Sequence, residues 1–348
     1  MDKDNIRIKD IAKKAGVSPG TVDRVLHDRG GVKEKTKIKI LDLLKESGYQ
    51  PNLMARALIS KKEYTIAVLI PKRSTENVFW KKILDGIIRA ENEVKAFNFK
   101  LEFFLFELYD EEDYVQQIKK IIDLNPQGVV IKPSFEDEAK LFTDRLNEKK
   151  IPYVFINSDL KSENRIRYIG QDSYATGYLG AKLLHYGIKR KGTILIVNNA
   201  KNIENYNHFF ERNRGFIDYF DEHNMGYDYL LLKKKIFDDF ELTVQKIFTE
   251  HDDIVGIYFS NVKSFLMARY LEKINRKDII LIGYDAIGEN IKYIESGYID
   301  FVISQNPYKQ GYFSIIELFN YIAKGERNSE DLLMPMDILT KENLKYYS

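Results

Sequence analysis

The chain has 348 residues, 44% hydrophobic and 30% charged, with no cysteine and a formal net charge of +2. That length predicts two or three domains. The lack of cysteine excludes a disulfide framework and a thiolate zinc site, and no apolar run approaches the roughly 18 residues that a bilayer span needs. The five histidines never fall at HxxxH spacing, which removes a helical metal pair. The charged N-terminus lacks the apolar stretch of a secretory signal, so a cytoplasmic location without a membrane partner is expected. Charge is uneven: residues 1–63 hold 15 Lys and Arg against 9 Asp and Glu, net +6, leaving the rest at −4. A basic front on a mildly acidic body suits a module that neutralises phosphates, joined to one that does not.

In chain order, Ile8, Ile11, Ala12 and Ala15 form the i, i+3, i+4, i+7 stripe of a short helix that Gly16 ends. Val17 plugs the turn, and Ser18-Pro19 supplies an N-cap and a first-turn proline for a second helix. That helix turns Val22, Val25 and Leu26 toward the first and leaves Thr21, Arg24 and His27 outside, a helix-turn-helix pattern. A third helix over about 34–47 is expected to pack Ile38, Leu41 and Leu44 under the pair and to stop at Gly48. The spacing alone also fits a plain three-helix bundle or a protein-binding module. The proline-led segment Tyr49 to Leu58 then reads as a short helix whose apolar residues have no partner in so small a bundle.

The run from Ile8 to Leu58 resembles the DNA-binding headpiece and hinge helix of the LacI/GalR family of bacterial transcription regulators. The residues that carry this are Asp10-Ile11-Ala12, Ala15-Gly16-Val17-Ser18, Thr21-Val22, Arg24-Val25 and Gly48-Tyr49-Gln50-Pro51-Asn52. The resemblance implies that Pro19, Gly20 and Arg24 face base edges in the major groove, with Arg24 able to contact guanine O6 and N7. It places Thr21, His27, Lys33, Thr36 and Asn52 at phosphate contacts, adds Ser18 and Arg56 to the DNA-binding set, and makes Leu58 a minor-groove wedge. Pro19 and Gly20 offer no side-chain hydrogen bond, so backbone and duplex shape must do more there. Asp23 stands where a small polar residue is usual in the family, and its carboxylate repels phosphate unless Arg24 or Lys37 neutralises it.

Beyond Lys61-Lys62 the chain alternates strand and helix. Strands are predicted at 64–70, 101–108, 128–132, 153–156, 193–197, 229–232, 256–259, 279–283 and 301–304. Helices are predicted at 79–97, 112–124, 136–149, 173–187, 207–223, 240–250, 263–275, 287–296 and 308–324. Such alternation implies α/β architecture: parallel sheets covered on both faces, here in two doubly wound lobes behind the small all-α headpiece. The expected division is 1–49 headpiece, 50–62 hinge and 63–348 body, with one lobe over about 63–168 plus 305–325 and the other over 169–304 plus 326–348.

Ligands of open parallel sheets collect outside the C-terminal ends of the strands. The polar residues there include Asn77, Asp159, Asn261, Asp285 and Gln305, with Phe79 and Trp80 adjoining and Arg212 on a helix. Carboxylates, amides and a guanidinium beside an aromatic pair suit a polyhydroxylated, sugar-like ligand. Each residue has a plainer use: Trp80 as core, Asp159 and Asp285 as helix caps, Arg212 in a surface pair with Glu211 or Asp218. Residues 64–340 resemble the same family's effector domain, itself similar to periplasmic ribose-type binding proteins. Ile169-Gly170-Gln171-Asp172, Gly177-Tyr178, Arg212-Asn213-Arg214-Gly215-Phe216, Ser260-Asn261 and Ile282-Gly283-Tyr284-Asp285 carry this. The resemblance implies ligand contacts for Arg212 and Asp285, and further ones for Asn261, Gln305 and Asp159. No phosphate loop, GxGxxG, HExxH or GxSxG occurs, and no nucleophile is paired with a base. The expectation is a homodimeric, cofactor-free, non-enzymatic regulator of a near-palindromic duplex operator, controlled by a small carbohydrate-like effector. The alternative is a sugar-binding or sugar-modifying α/β enzyme with an appended DNA-binding segment.

Overall fold

The computed structural model describes residues 8–26, 30–47, 63–72, 78–160, 162, 164–198, 207–233, 239–328 and 330–347. The chain divides into two compact units, 1–59 and 60–348. The expected stop at Gly48, the hinge with Asn52, Arg56 and Leu58, and also His27 and Asn77, lie outside the described residues.

The first unit holds α1 (Ile8–Ala15), α2 (Pro19–Leu26) and α3 (Glu34–Glu46). Gly16 closes α1 at φ +72°. Its N–H donates to the Lys13 carbonyl at 3.3 Å and that of Val17 to Ala12 at 3.0 Å, the paired bonds of a Schellman motif. Ser18 caps α2, its Oγ accepting from the Thr21 N–H at 3.2 Å. Ile11, Ala12, Ala15, Val22, Val25 and Ile40 form the buried centre. Here α3 corrects an expectation: Ile38 and Leu41 are 53% and 45% exposed, and the inward side is Ile40 with Leu43 and Leu44 half-buried against the core. The helix carries two apolar stripes, and residues two apart point to nearly opposite sides. The stripe through Ile40 faces inward, fixed by Lys39 Nζ donating to the Ala15 carbonyl at 3.1 Å.

The second unit contains two six-stranded sheets. In the first, β1 (Tyr64–Pro71), β2 (Phe99–Phe106), β3 (Gly128–Ile131), β4 (Tyr153–Ile156), β5 (Tyr168–Gly170) and β11 (Leu332–Leu333) lie in the order β11-β5-β4-β3-β1-β2, all parallel. In the second, β6 (Thr193–Asn198), β7 (Asp228–Lys233), β8 (Ile254–Phe259), β9 (Ile280–Tyr284), β10 (Phe301–Ser304) and β12 (Asp337–Leu339) lie in the order β12-β10-β9-β8-β6-β7, with only the β10/β12 pair antiparallel. The intervening helices are α4 (Val78–Val94), α5 (Glu111–Leu124), α6 (Glu136–Glu148), α7 (Ser173–Gly187), α8 (Asn207–Glu222), α9 (Phe240–Glu250), α10 (Phe265–Lys273), α11 (Glu289–Glu295) and α12 (Pro307–Phe319). No described helix is long and apolar enough to cross a membrane.

Alternate residues of each strand feed opposite faces. Leu195, Val197, Ile257 and Phe259 pack on Val244, Met267, Leu271 and Ile294, while Ile194, Ile196, Tyr258 and Ile282 pack on Ala181, Leu184, Phe216 and Phe220. Burial on both faces is why these strands read as unbroken apolar runs.

Three short strands, β5, β11 and β12, were not expected. They move the lobe boundaries. The first lobe runs through Gly170, and the final return to the second, expected after 325, comes after Leu333 because β11 pairs with β5. The chain thus passes between lobes three times, and Gln171 joins all three passages, its Nε2 donating to the carbonyls of Ser304 at 2.7 Å and Pro335 at 3.0 Å.

Candidate effector site and nucleic-acid interface

Strand order reverses around β1, between β2 and β3, and around β6, between β7 and β8. Crevices at such reversals, beyond the C-terminal strand ends, are where a ligand meets polar side chains without disturbing the core.

In the second lobe the ends of β8, β9 and β10 converge on Arg212. This arginine is 3% exposed. Its Nη1 donates to the Ser260 carbonyl at 2.8 Å, its Nη2 to Gln305 Oε1 at 2.6 Å, and its guanidinium lies 3.9 Å from the Tyr284 ring centre. Its Nε has no hydrogen-bond partner among the described residues. Gln305 turns its other amide atom to Asp285, Nε2 donating to Oδ2 at 2.6 Å while its backbone N–H donates to Oδ1 at 2.7 Å. One amide therefore bridges guanidinium and carboxylate. Burial pushes the Asp285 carboxyl up to about 6, against the opposing pull of the Gln305 donors and the Arg212 charge.

The plainer uses of Arg212 and Asp285 are not the ones taken. Arg212 takes neither surface acid: Arg214 pairs with Glu211, and Asp218 accepts from Tyr174. The residue before α11 is Gly288, so Asp285 is not that helix's cap. Asn261 lies beside Ser260 and turns its Oδ1 to the Lys263 N–H at 2.9 Å. Phe79 and Trp80 open α4, both buried, in an edge-to-face pair with centres 5.4 Å apart. Asp159 stands apart from the Arg212 cluster: Arg165 takes both its oxygens at 2.9 Å and also pairs with Asp331, bracing the passage into β11. Among the described residues the next element after Asp159 is the strand β5, so it has no helix there to cap.

Sequence reasoning passed over Lys132, Ser134 and His208 as site residues, and took in Ser158 only within the polar run Asn157-Ser158-Asp159 at the end of β4. Lys132 follows β3 and is 1% exposed, and Ser158 Oγ in the first lobe meets His208 Nδ1 in the second at 3.4 Å. The signals were present: a lysine directly after a buried strand, and a histidine four residues before Arg212, hence on the same helix face.

In the first unit, Ser18, Pro19, Gly20 and Arg24 are exposed along the first two turns of α2, with Thr21 half-buried beneath. Lys33 and Thr36 lie at the start of α3, Lys33 exposed and Thr36 half-buried. Two helix N-termini with basic residues nearby offer N–H groups and positive charge to phosphates.

Comparison with known proteins agrees with both parts. Residues 7–52 match the family described as bacterial regulatory proteins, lacI family, and residues 66–327 match the periplasmic binding protein domain. Over 286 residues the chain is 24% identical to the ribose operon repressor of Lactococcus lactis subsp. lactis, covering 80% of this chain and 81% of that one. Over 146 residues it is 32% identical to the HTH-type transcriptional regulator RegA of Clostridium saccharobutylicum, 41% of this chain and 42% of that one. A Bacteroides fragilis crystal structure described as a LacI transcriptional regulator superposes with a TM-score of 0.77 at 30% identity, covering 82% of this chain and 100% of that one. A carbohydrate transporter solute binding protein from Agrobacterium radiobacter, in complex with D-arabinose, shares the fold at TM-score 0.72 and 21% identity, over 82% and 97% of the two chains.

Proposed function

Because the chain belongs to the lacI family of bacterial regulatory proteins and is a sugar-responsive, DNA-binding transcriptional regulator, we propose how it works: as a homodimer whose two headpieces hold a near-palindromic operator, with operator affinity set by a small sugar-type effector between the lobes. The observation that carries the effector half is the Arg212–Gln305–Asp285 bridge. A sugar hydroxyl both donates and accepts, and the bridge presents a donor, an amide and an acceptor in one buried row. Phe79 and Trp80 supply apolar rings for the C–H face of a sugar. Relatives named for ribose, and a fold neighbour holding D-arabinose, favour a monosaccharide frame.

On DNA, Arg24 reads a guanine, Pro19 and Gly20 fit the groove by shape and backbone, and Ser18, Thr21, Lys33 and Thr36 hold phosphates. His27, Asn52 and Arg56 extend the phosphate contacts, and Leu58 wedges the minor groove. The hinge helix is short enough to be marginal alone, so it forms when docked on DNA beside its twin. Effector binding acts by changing how easily the paired hinges reach that state.

The test is a thermal-shift screen of the purified chain against a carbohydrate panel, each hit then titrated into a gel shift on the DNA upstream of the protein's own gene. A hit should raise the melting temperature and move operator affinity by about five-fold or more, and Arg212→Ala should remove both responses. A full thermal shift in Arg212→Ala would take that residue out of the site.

A further inference from the structure

Of the buried side-chain atoms that lack a hydrogen-bond partner among the described residues, two are nitrogens, Arg212 Nε and Asn198 Nδ2; the others are oxygens of Ser134, Gln171, Asn213, Gln310 and Asn320. A buried N–H without an acceptor is rarer in a folded chain than an underused oxygen. The two nitrogens are not scattered. Both side chains are tied to Ser260, which directly follows β8 and is fully buried: Arg212 Nη1 donates to its carbonyl at 2.8 Å, and its Oγ donates to Asn198 Oδ1 at 2.6 Å. The Ser260 hydroxyl has one proton and a second acceptor in reach, the Val197 carbonyl at 3.1 Å. The shorter contact takes it, which leaves Nδ2 as the spare end of the Asn198 amide. Asn198 is the last residue of β6, the strand around which the second sheet reverses its order, and it is 1% exposed. Asn290, fully buried in the same lobe, shows the structural use of such an amide. Its Nδ2 donates to the carbonyls of Val262, Tyr284 and Asp285, and its Oδ1 accepts from Ser264 and Phe265.

We propose that Asn198 is a further effector-binding residue: its Nδ2, together with Arg212 Nε, donates to an oxygen of the bound sugar, so that the site selects a sugar carrying that oxygen over its deoxy analogue. This rests on the reading of the Arg212 cluster as the effector site and adds a specificity-determining residue to it. The strand reversal at β6 puts Asn198 at the position where parallel sheets meet their ligands. A sugar hydroxyl oxygen can accept two hydrogen bonds while donating its own proton, which matches two spare donors held by one serine. An analogue without the oxygen would leave both donors unmet in a place that water does not reach, and sites built in this way reject such analogues strongly.

The experiment is calorimetry and thermal shift on the full chain with D-ribose, D-arabinose, D-xylose and D-glucose and the monodeoxy derivatives of each. Asn198→Leu keeps the branched shape, leaves Ser260 the Val197 carbonyl and removes an unmet buried donor. The variant should therefore melt no lower than wild type while binding the tightest sugar at least about ten-fold more weakly. One deoxy derivative of that sugar should bind wild type about ten-fold more weakly than its parent, and the gap should narrow to about three-fold or less in Asn198→Leu. Ser260→Ala leaves the amide in place but unfixed. It should weaken sugar binding by about three-fold, and it carries the test should the leucine variant not fold. Sugar affinity unchanged in both variants, with Arg212→Ala still losing it, would overturn the proposal and leave the sugar-effector reading standing. So would a deoxy gap of the same size in Asn198→Leu, or a fall in its melting temperature with affinity intact, the mark of a residue that serves the fold alone. Failure of wild type to bind any of these sugars would remove the sugar-effector reading itself, and this proposal with it.

Discussion

Asp285 combines two unfavourable circumstances, a left-handed backbone at φ +57° and a buried carboxyl. A residue with a Cβ pays about 1 kcal/mol or more for that backbone. It is kept there by its N–H donating to the Ile303 carbonyl at 3.2 Å and its own carbonyl accepting from Asn290 at 2.9 Å. With the carboxyl at about 6 in the folded chain against an ordinary 3.8, the native state binds the proton more tightly than the unfolded state does. Its contribution to stability is therefore complete below about pH 4 and lost as the pH rises toward 6. Asp285→Asn removes that component, so the urea midpoint of the wild type should fall more steeply than the variant's across this interval. Asp300, half-buried and pushed by desolvation up to about 6, titrates in both proteins and cancels in the difference. Parallel curves would mean that Asp285 ionises like an exposed acid.

At the scale of elements, Arg212 is placed by the contact between α7 and α8. A Cβ at Gly177 would lie 1.9 Å from the Arg212 carbonyl oxygen, and one at Gly215 would lie 2.1 Å from that of Tyr174. Each helix thus uses a glycine to admit the other's backbone, and the resulting closeness sets where the guanidinium meets Gln305. Gly177→Ala should force the helices apart at a cost of about 1–3 kcal/mol. It should also weaken sugar binding by about ten-fold when both proteins are compared well below their melting points, since misplacing a buried donor loses a charged hydrogen bond. A destabilised variant with wild-type affinity would show that this contact supports stability alone. The alternation of strands and helices was legible because double-sided burial writes each strand as an apolar run, as in Ile254–Phe259. Asp285 and Gln305 could be singled out as candidates because polar residues at the ends of parallel strands stand out, whereas Arg212, on a helix, was singled out through the family resemblance. What escaped has physical causes as well. β11 has only two residues, too few for any periodicity, and exists because β5 offers it an edge. On α3 two apolar stripes compete, and only packing against α1 and α2 selects Ile40 over Ile38. Lys132 continues a buried strand with a side chain whose usual place is the surface, and only burial shows its aliphatic stem inside.

For the molecule as a whole, effector control requires that occupancy of the cleft be converted into a defined relative motion of the two lobes, which share three chain passages. Gln171 sits on the first passage and donates to Ser304 on the second and Pro335 on the third, while Asn306 on the second also donates to Pro335 at 3.1 Å and Asp337 at 3.0 Å. Tyr168 braces the start of the first passage, its hydroxyl donating to the Gln171 carbonyl at 3.1 Å or the Asn157 carbonyl at 3.2 Å. Three strands free to flex independently would let the lobes close in many ways, and a ligand can shift an equilibrium only between states that differ in its affinity for them. Tying the passages at one amide would reduce those ways to one hinge and couple closure to whatever the hinge moves. Gln171→Met keeps the side-chain volume and removes both donations, taking a donor from the buried Ser304 carbonyl at about 1–3 kcal/mol, while the Pro335 carbonyl keeps the Asn306 amide. The variant should melt at a lower temperature and still bind effector through Arg212, Asp285 and Gln305, but the effector's influence on operator affinity should shrink by about five-fold or more. Calorimetry for the effector and a gel shift with and without it separate the two quantities. An undiminished operator response in a variant that has lost stability would show that the three passages transmit the motion without being tied at Gln171.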